Sequence, residues 1–298
     1  MHHLFEESTI CRMALKNRFV RSATWEGLAG EDGSITPKLT AAMAALAEGG
    51  VGLIISSHAY VSPEGQATPW QIGIYKDDLI SGLRQMTAAV HDGGGKIVAQ
   101  LAHAGHQAPD KITGRPALAV SDSEALAGKN VRVAAKEDIA ALVADFARAA
   151  SRAKAAGFAG IEIHSGHGYL LSQFLSPAFN KRRDAYGGDI AGRTAVHLEI
   201  YRAVREVVGR NYPVFIKMNC ADFTDNGLTG DDGLAAAKRF AGAGFDAIEV
   251  SGGILGPGKL TPSRPAIASA GQEAYHREYA ARFKKEFGTP LILVGGLR

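Results

Sequence analysis

The chain has 298 residues, of which 46% are hydrophobic and 21% are charged, and its formal net charge is +3 at pH 7. This is the composition of an ordinary globular protein, and the weak, scattered positive charge argues against nucleic acid or an anionic membrane as a partner. The two cysteines, Cys11 and Cys220, are too few for a disulfide framework or a cysteine-rich metal site.

Short apolar strands alternate with Ala-rich amphipathic helices along the chain. The segment Pro37–Glu48 is typical, because a proline begins it and a Gly-Gly pair follows it. The predicted strands are residues 19–23, 51–56, 96–101, 159–164, 214–218, 247–251 and 290–294. The predicted helices are residues 37–48, 77–91, 136–156, 193–208, 231–241 and 273–287. Two long connections, residues 103–135 and 165–189, lack a clear period, which is typical of functional loops or insertions.

The predicted strands are continuous apolar runs, which indicates a parallel sheet covered on both faces. Both an open doubly wound sheet and a TIM (β/α)₈-type barrel fit this order of elements. Polar residues or glycine fall at or just past the carboxyl ends of five strands: Gln100, His164, Lys217, Ser251 and Gly295. Such ends converge on one mouth only in a barrel, which the sequence therefore favours. We expect one barrel domain over residues 1–298 that lacks the eighth β/α unit, because only seven strands are predicted.

The sharpest polar cluster follows the fourth predicted strand and contains His164, His167 and Tyr169. Two imidazoles and a phenol at a barrel mouth suit the binding of a carbonyl or phenolate oxygen, and the phenol can give a proton. A zinc site would need a third ligand, which the nearby sequence does not supply. Histidines held by structural hydrogen bonds are the plainer alternative, against which the position at a strand end argues.

Lys217 ends the fifth predicted strand, and its spacing leaves three interpretations open. It could form a Schiff base with a carbonyl substrate, or it could be a fixed positive charge beside a cofactor. It could also form a buried ion pair with a carboxylate such as Glu162 or Glu249. Gln100 ends the third predicted strand, where its amide suits a pyrimidine-like ring edge or a backbone partner.

Glycine turns follow the last two predicted strands, Gly252–Gly253 after one and Gly295–Gly296, then Arg298, after the other. Glycine lets backbone N–H groups approach a phosphate, and an arginine can pair with its oxygens. Barrel phosphate sites use the loops near these strands, although tight turns of any protein also use Gly-Gly. No GxGxxG or P-loop pattern occurs, so a Rossmann dinucleotide site is not supported.

Three stretches resemble motifs of the Old Yellow Enzyme-like NADH:flavin oxidoreductase family. Residues 16–24 (KNRFVRSAT) are similar to the family's first-strand motif, and residues 100–105 (QLAHAG) to its third-strand motif. Residues 162–188, which begin EIHSGHGYL, resemble its most specific signature.

The resemblance implies FMN at the mouth of a barrel, with NAD(P)H as the reductant. The implied cofactor-binding residues are Ser22, Ala23, Thr24, Trp25, His58, Gln100, Lys217, Gly252, Gly253, Gly295, Gly296 and Arg298. Lys217 stands where the family has an arginine that faces the flavin N1/O2 side, where reduction builds negative charge. By the same resemblance, His164 and His167 would bind the substrate carbonyl oxygen, and Tyr169 would protonate the α-carbon.

The implied activity is that of an ene-reductase, which transfers hydride from NAD(P)H through the flavin to the activated C=C of an α,β-unsaturated carbonyl compound. Alternatives are a related flavin enzyme acting on enoyl-CoA, dienoyl-CoA or amines, a cofactor-free lyase using Lys217, and a non-catalytic binding module. The expected partner is a small enone-type molecule, without metal, nucleic acid or membrane, and homo-oligomer formation stays open. A cytoplasmic location is expected, because no signal region or bilayer-length apolar run occurs.

Overall fold

The computed structural model describes residues 4–255, 260–264 and 267–297. One sheet is formed by β1 (Val20–Arg21), β2 (Leu53–Tyr60), β3 (Ile97–Ala102), β4 (Gly160–Ser165), β5 (Val214–Asn219), β6 (Ala247–Ser251) and β7 (Leu291–Leu293). Within the described residues these seven strands lie side by side in chain order, and every neighbouring pair is parallel. A doubly wound sheet would reverse its order at a switch point, so the predicted barrel class is confirmed.

Helices cover the outer face of this sheet: α1 (Pro37–Glu48), α2 (Ile80–Asp92), α3 (Lys136–Ala155), α4 (Ala195–Val208), α5 (Gly230–Ala243) and α6 (Arg277–Glu286). The start of α1 is fixed by Thr36, whose side chain accepts a hydrogen bond from the Leu39 N–H, and by the proline that follows it. Leu39, Met43 and Ala47 recur at helical spacing and form the buried face of α1. They belong to the larger hydrophobic core, which lies between helices and strands.

A smaller core fills the amino-terminal half of the barrel interior. Its strand residues are Leu53, Ile55, Val98, Phe215, Ala247 and Ile292. An N-terminal hairpin of Ser8–Ile10 and Met13–Leu15 adds Ile10, Met13 and Leu15 to the same cluster. The hairpin was not predicted, because two strands of three residues are too short to show a period. Apolar side chains fill this end of the barrel, so polar side chains are expected at the carboxyl ends of the strands.

Two element boundaries differ from the prediction in ways that affect the site. β2 continues to Tyr60, past its predicted end at residue 56, because a register shift between Ile55 and His58 lets it go on pairing with β3. This extension carries His58 toward the carboxyl end of the barrel. The last helix begins at Arg277 rather than at residue 273, because Ala270–Gln272 forms a separate 3₁₀ turn.

The long connections contain short ordered elements rather than open loops. Ala117–Ala119 pairs in parallel with Val131–Val133. Further short helices and 3₁₀ turns are Pro63–Gly65, Asp77–Leu79, Gly105–Gln107, Asp110–Thr113, Glu124–Leu126, Leu170–Leu175 and Ile190–Arg193. In the part of the chain that is described, every helix is too short or too polar to cross a bilayer.

Candidate active site

The three residues of the predicted cluster lie together at the carboxyl end of β4. The ring centroids of His164 and Tyr169 are 5.0 Å apart, and those of His164 and His167 are 5.2 Å apart. Both ring pairs are close to perpendicular, at 76° and 73° respectively. The structure therefore brings together one phenol and two imidazoles, which were predicted as substrate-binding groups.

Groups from β5 and β6 fix the position of His167. Its Nε2 lies 2.7 Å from Ser251 Oγ, at the carboxyl end of β6, two strands away from β4. Its backbone has a φ of 63°, a left-handed value that is uncommon outside glycine. The His167 N–H donates to Asn219 Oδ1 at 3.0 Å, and Asn219 in turn donates to Asp222 Oδ1 and to the Gly253 carbonyl, both at 2.9 Å. Asn219 and Ser251 were not predicted to have this role.

Tyr169 has a partner on β2, because its Oη lies 3.3 Å from His58 Nε2. Burial raises the pKa of Tyr169, so the phenol keeps its proton at neutral pH and can donate it. Burial, with a smaller contribution from the positive charge of Lys217, lowers the pKa of His58 to about 4. A neutral His58 that carries its proton on Nε2 can donate a hydrogen bond to the Tyr169 oxygen, which orients the hydroxyl group and leaves the phenol proton free.

Both histidines of the cluster are also neutral at ordinary pH. Burial lowers the pKa of His164 and of His167 well below the usual value, and the nearby charge of Lys217 adds to the effect. His164 Nδ1 is buried and has no hydrogen-bond partner among the described residues, so its hydrogen-bonding capacity is unused.

As for the zinc alternative, the described ranges contain no group of three or more His, Cys, Asp or Glu that could hold a metal ion.

Lys217 forms a buried ion pair inside the barrel. Its Nζ lies 2.8 Å from Glu249 Oε1 and donates to Ser22 Oγ, also at 2.8 Å. Ser22 Oγ donates to the same Glu249 oxygen at 2.6 Å. Of the three interpretations of Lys217, the structure therefore shows the ion pair. A cofactor contact is still compatible, because an ammonium group has a third N–H. A Schiff base is disfavoured, because a protonated amine has no lone pair for attack.

Gln100 and Glu162 face each other on neighbouring strands. Gln100 Nε2 donates to Glu162 Oε2 at 2.6 Å, and the two residues are paired in the register of β3 and β4. Burial and the adjacent carboxylate of Glu249 raise the pKa of Glu162 well above its usual value. Both glutamates were named only as possible ion-pair partners of Lys217, of which the structure shows Glu249, and neither was predicted as a cofactor- or substrate-binding residue.

The segment from Ser22 to Trp25 follows β1 and begins at the Lys217–Glu249 pair. Ala23 packs against the smaller core in the barrel interior, and Thr24 Oγ1 donates to the Ser22 carbonyl at 3.2 Å. Trp25 leaves 44% of its surface exposed, so one side of this segment is open to a ligand. The four residues predicted to lie along the flavin thus run from the buried Lys217–Glu249 pair to an exposed indole ring.

The predicted phosphate turns at the ends of β6 and β7 have a packing reason to be glycine. A Cβ on Gly252 would lie 2.7 Å from Phe223 Cε2, and one on Gly295 would lie 2.4 Å from Tyr275 Cε2. Gly295 also has a φ of 109°, which favours glycine. Their phosphate role stays a prediction, because close packing alone accounts for these glycines.

A cation that was not predicted lies near these turns. The Arg264 guanidinium carbon is 4.3 Å from the centroid of the Tyr275 ring, on which Gly296 also packs. Gly253 has its own close neighbour, because an added Cβ would meet the Leu260 carbonyl at 2.3 Å. Arg298, which was predicted to pair with the phosphate, lies outside the described residues. Arg264 was missed because no motif surrounds it.

Comparisons with known proteins agree on the family of this chain. A profile of the NADH:flavin oxidoreductase / NADH oxidase family matches residues 3–295. The NADH oxidase of Thermoanaerobacter brockii is 36% identical over 301 residues, which cover 99% of this chain and 45% of that protein. The NADPH dehydrogenase of Halalkalibacterium halodurans is 35% identical over 283 residues, which cover 93% of this chain and 80% of that protein. The solved structure of the old yellow enzyme homologue from Zymomonas mobilis superposes with a TM-score of 0.83 at 26% identity. The superposition covers 99% of this chain and 82% of that one. The chain thus spans less than half the length of the first of these relatives.

Proposed function

The chain belongs to the NADH:flavin oxidoreductase / NADH oxidase family, and from that premise we propose that it reduces the activated C=C of α,β-unsaturated carbonyl compounds. Membership confirms the predicted class, an oxidoreductase that uses FMN with NAD(P)H as reductant. The enone substrate is the proposed part, as is the treatment of residues 1–298 as one FMN-binding domain. The observation that carries it is the convergence of His164, His167 and Tyr169 at the barrel mouth.

The residues at the mouth fit FMN. The exposed edge of the segment from Ser22 to Trp25 can lie along the flavin ring, and Gln100 is paired with His58 in the register of β2 and β3. Lys217 uses two N–H groups on Ser22 and Glu249, which leaves a third for the electron-rich pyrimidine edge. When bound, FMN supplies the hydride chemistry, taking hydride from a nicotinamide and passing it to a substrate carbon. The predicted phosphate site is the pair of glycine turns, with Arg264 as an additional cation nearby.

The chain's own groups then bind and activate the substrate. His164 and His167 are neutral, so each can donate one hydrogen bond to the carbonyl oxygen of an enone. These bonds draw electron density toward the oxygen and make the β-carbon more electrophilic, which favours hydride transfer to it. Tyr169 keeps its proton because it is buried, and it can deliver that proton to the α-carbon. His58 holds the Tyr169 hydroxyl from the other side.

The test is an anaerobic visible absorption spectrum of the chain after mixing with FMN and desalting. We expect a retained flavin band that bleaches on addition of NADPH or NADH and returns on addition of 2-cyclohexenone. A band that bleaches but does not return with any enone would contradict the proposed substrate and favour a related flavin enzyme that acts on CoA thioesters or amines. A chain that retains no flavin would contradict the proposal as a whole.

A further inference from the structure

Two glutamates lie inside the barrel on either side of the strand that carries Lys217. Glu162 on β4 and Glu249 on β6 both have 0% of their surface exposed. Burying an ionised carboxylate costs several kcal/mol unless a positive charge or hydrogen bonds compensate it. One lysine between two buried carboxyl groups can neutralise one negative charge, so the state of the second carboxyl group needs an account.

The hydrogen bonds place the negative charge on Glu249. Its Oε1 receives the Lys217 ammonium at 2.8 Å and the Ser22 hydroxyl at 2.6 Å. Glu162 receives one neutral donor, the Gln100 amide, at 2.6 Å from Oε2. A carboxylate is stabilised most by a charged donor at short distance, so Glu249 is the better anion of the two.

The remaining oxygens of the pair indicate where a proton lies. Glu162 Oε1 and Glu249 Oε2 are both buried, and neither has another hydrogen-bond partner in the described part of the chain. Glu249 also raises the pKa of Glu162, through repulsion between two carboxylates and by accepting a hydrogen bond from the protonated acid. Two buried carboxyl oxygens without a partner, beside a single lysine, are the arrangement in which one shared proton removes one negative charge and serves both groups.

We propose that Glu162 and Glu249 share one proton, that the remaining negative charge lies on Glu249, and that Glu249 is a positioning residue that holds Lys217 and offsets its charge beside the flavin. The last part rests on the proposed function, which puts FMN at this mouth. An unpaired lysine would strongly favour reduced flavin, which carries more negative charge. Pairing with Glu249 reduces that preference, so the bound flavin has a lower midpoint potential than Lys217 alone would give it.

The shared proton can be tested without any flavin. We would record infrared difference spectra of the unloaded chain at neutral pH and follow the carbonyl stretch of protonated carboxylic acids. Glu162→Gln should remove one such band. Glu64→Gln is the matched control and should remove none, because His103 and Arg132 lower the pKa of Glu64 to about 2 and keep it ionised. Acid bands that are the same in the Glu162→Gln and parent chains would overturn the shared proton.

The effect on the flavin is tested by the midpoint potential of the FMN-loaded chain. Glu162→Gln should leave the potential unchanged, because glutamine resembles the neutral acid. Glu249→Gln removes the charge, and combining it with Glu162→Gln prevents Glu162 from ionising in its place. The double variant should favour reduced over oxidised FMN at least tenfold more than the parent chain, which is about +30 mV for a two-electron couple.

Equal upward shifts from the two single variants would mean that both carboxyl groups are ionised and would overturn the proposal. An unchanged potential in the double variant would overturn the role of Glu249. If the Glu249 variants do not fold, the infrared measurement on Glu162→Gln still decides whether the proton is shared. Failure of the unaltered chain to bind FMN would count against the proposed function, and the infrared result would stand apart from it.

Discussion

Lys217 Nζ and Glu249 Oε1 lie 2.8 Å apart inside the barrel, on two neighbouring strands whose register pairs the two residues directly. A hydroxyl from the far end of the sheet, that of Ser22, bonds to both of them. Because Ser22 follows β1 and Glu249 belongs to β6, the sheet must curve enough to bring residues of these distant strands into contact. The same curvature assembles His58, His164 and Tyr169 at the mouth.

Removing the His164 imidazole should weaken ligand binding without loss of flavin. The His164→Ala chain should bind a para-substituted phenol about 10- to 100-fold more weakly, because a hydrogen bond to a charged oxygen contributes about 1.5–3 kcal/mol. Titration of the flavin absorption band with the phenol measures this affinity. His91→Ala is the control, because His91 bonds to the Gly95 and Gly157 carbonyls at the opposite end of the strands. Equal phenol affinity in the His164→Ala and parent chains would remove the proposed role.

Loss of the Tyr169 hydroxyl should slow one half-reaction and spare the other. Tyr169→Phe should reduce the rate of enone reduction by about 10²- to 10⁴-fold, the usual contribution of a positioned proton donor. Reduction of the flavin by NAD(P)H needs no such proton and should stay close to the parent rate in stopped-flow traces. Tyr212→Phe removes another buried hydroxyl, which donates to the Phe158 carbonyl, and should alter neither step. Equal losses in both half-reactions would exclude Tyr169 as the proton donor.

Ser251 should act through His167. Ser251→Ala removes the group that lies 2.7 Å from His167 Nε2 and leaves the imidazole in place but less well oriented. One neutral hydrogen bond contributes about 0.5–1.5 kcal/mol, so phenol affinity should fall about 2- to 10-fold, less than in His164→Ala. The double variant Ser251→Ala/His167→Ala should bind phenol no more weakly than His167→Ala alone. Additive losses would show that Ser251 acts independently of His167.

The folded chain should lose stability on acidification below pH 6.5. Burial lowers the pKa of His197 to about 3, and its Nε2 is engaged by Ser165 Oγ and the Leu171 carbonyl. Between that value and the ordinary pKa near 6.5, the unfolded chain binds the proton and the folded chain does not. Stability therefore rises with pH across this window and falls as the pH is lowered.

Urea unfolding at several pH values measures the effect. His197→Gln, which keeps a hydrogen-bonding side chain that cannot titrate, should reduce the slope by up to about 1.4 kcal/mol per pH unit. Burial also lowers the pKa of His58, His106 and His276, each to about 4, so the parent chain should show a steeper slope than one histidine accounts for. A flat stability profile between pH 4 and 6.5 would contradict this account.

Part of the site was predictable from sequence because it depends on residues that are close along the chain. The apolar run that ends at His164, followed by His167 and Tyr169, identifies a strand and the turn after it, and the structure has both. His58 was different, because the strand that carries it continues through a register shift that apolar patterning does not reveal. For that reason His58 was named only through the family resemblance.

The sequence by itself determined the alternation of strands and helices, the barrel class and the family, because apolar period, helix ends and local motifs are properties of short stretches. Only the tertiary structure showed that Lys217 forms an ion pair with Glu249, and only it paired Ser22 with Glu249, which lies 227 residues away. The physical reason is that an ion pair or a shared proton depends on distances of a few ångströms between strands. Those distances are set by the register and curvature of the whole sheet, which no single stretch of the chain encodes.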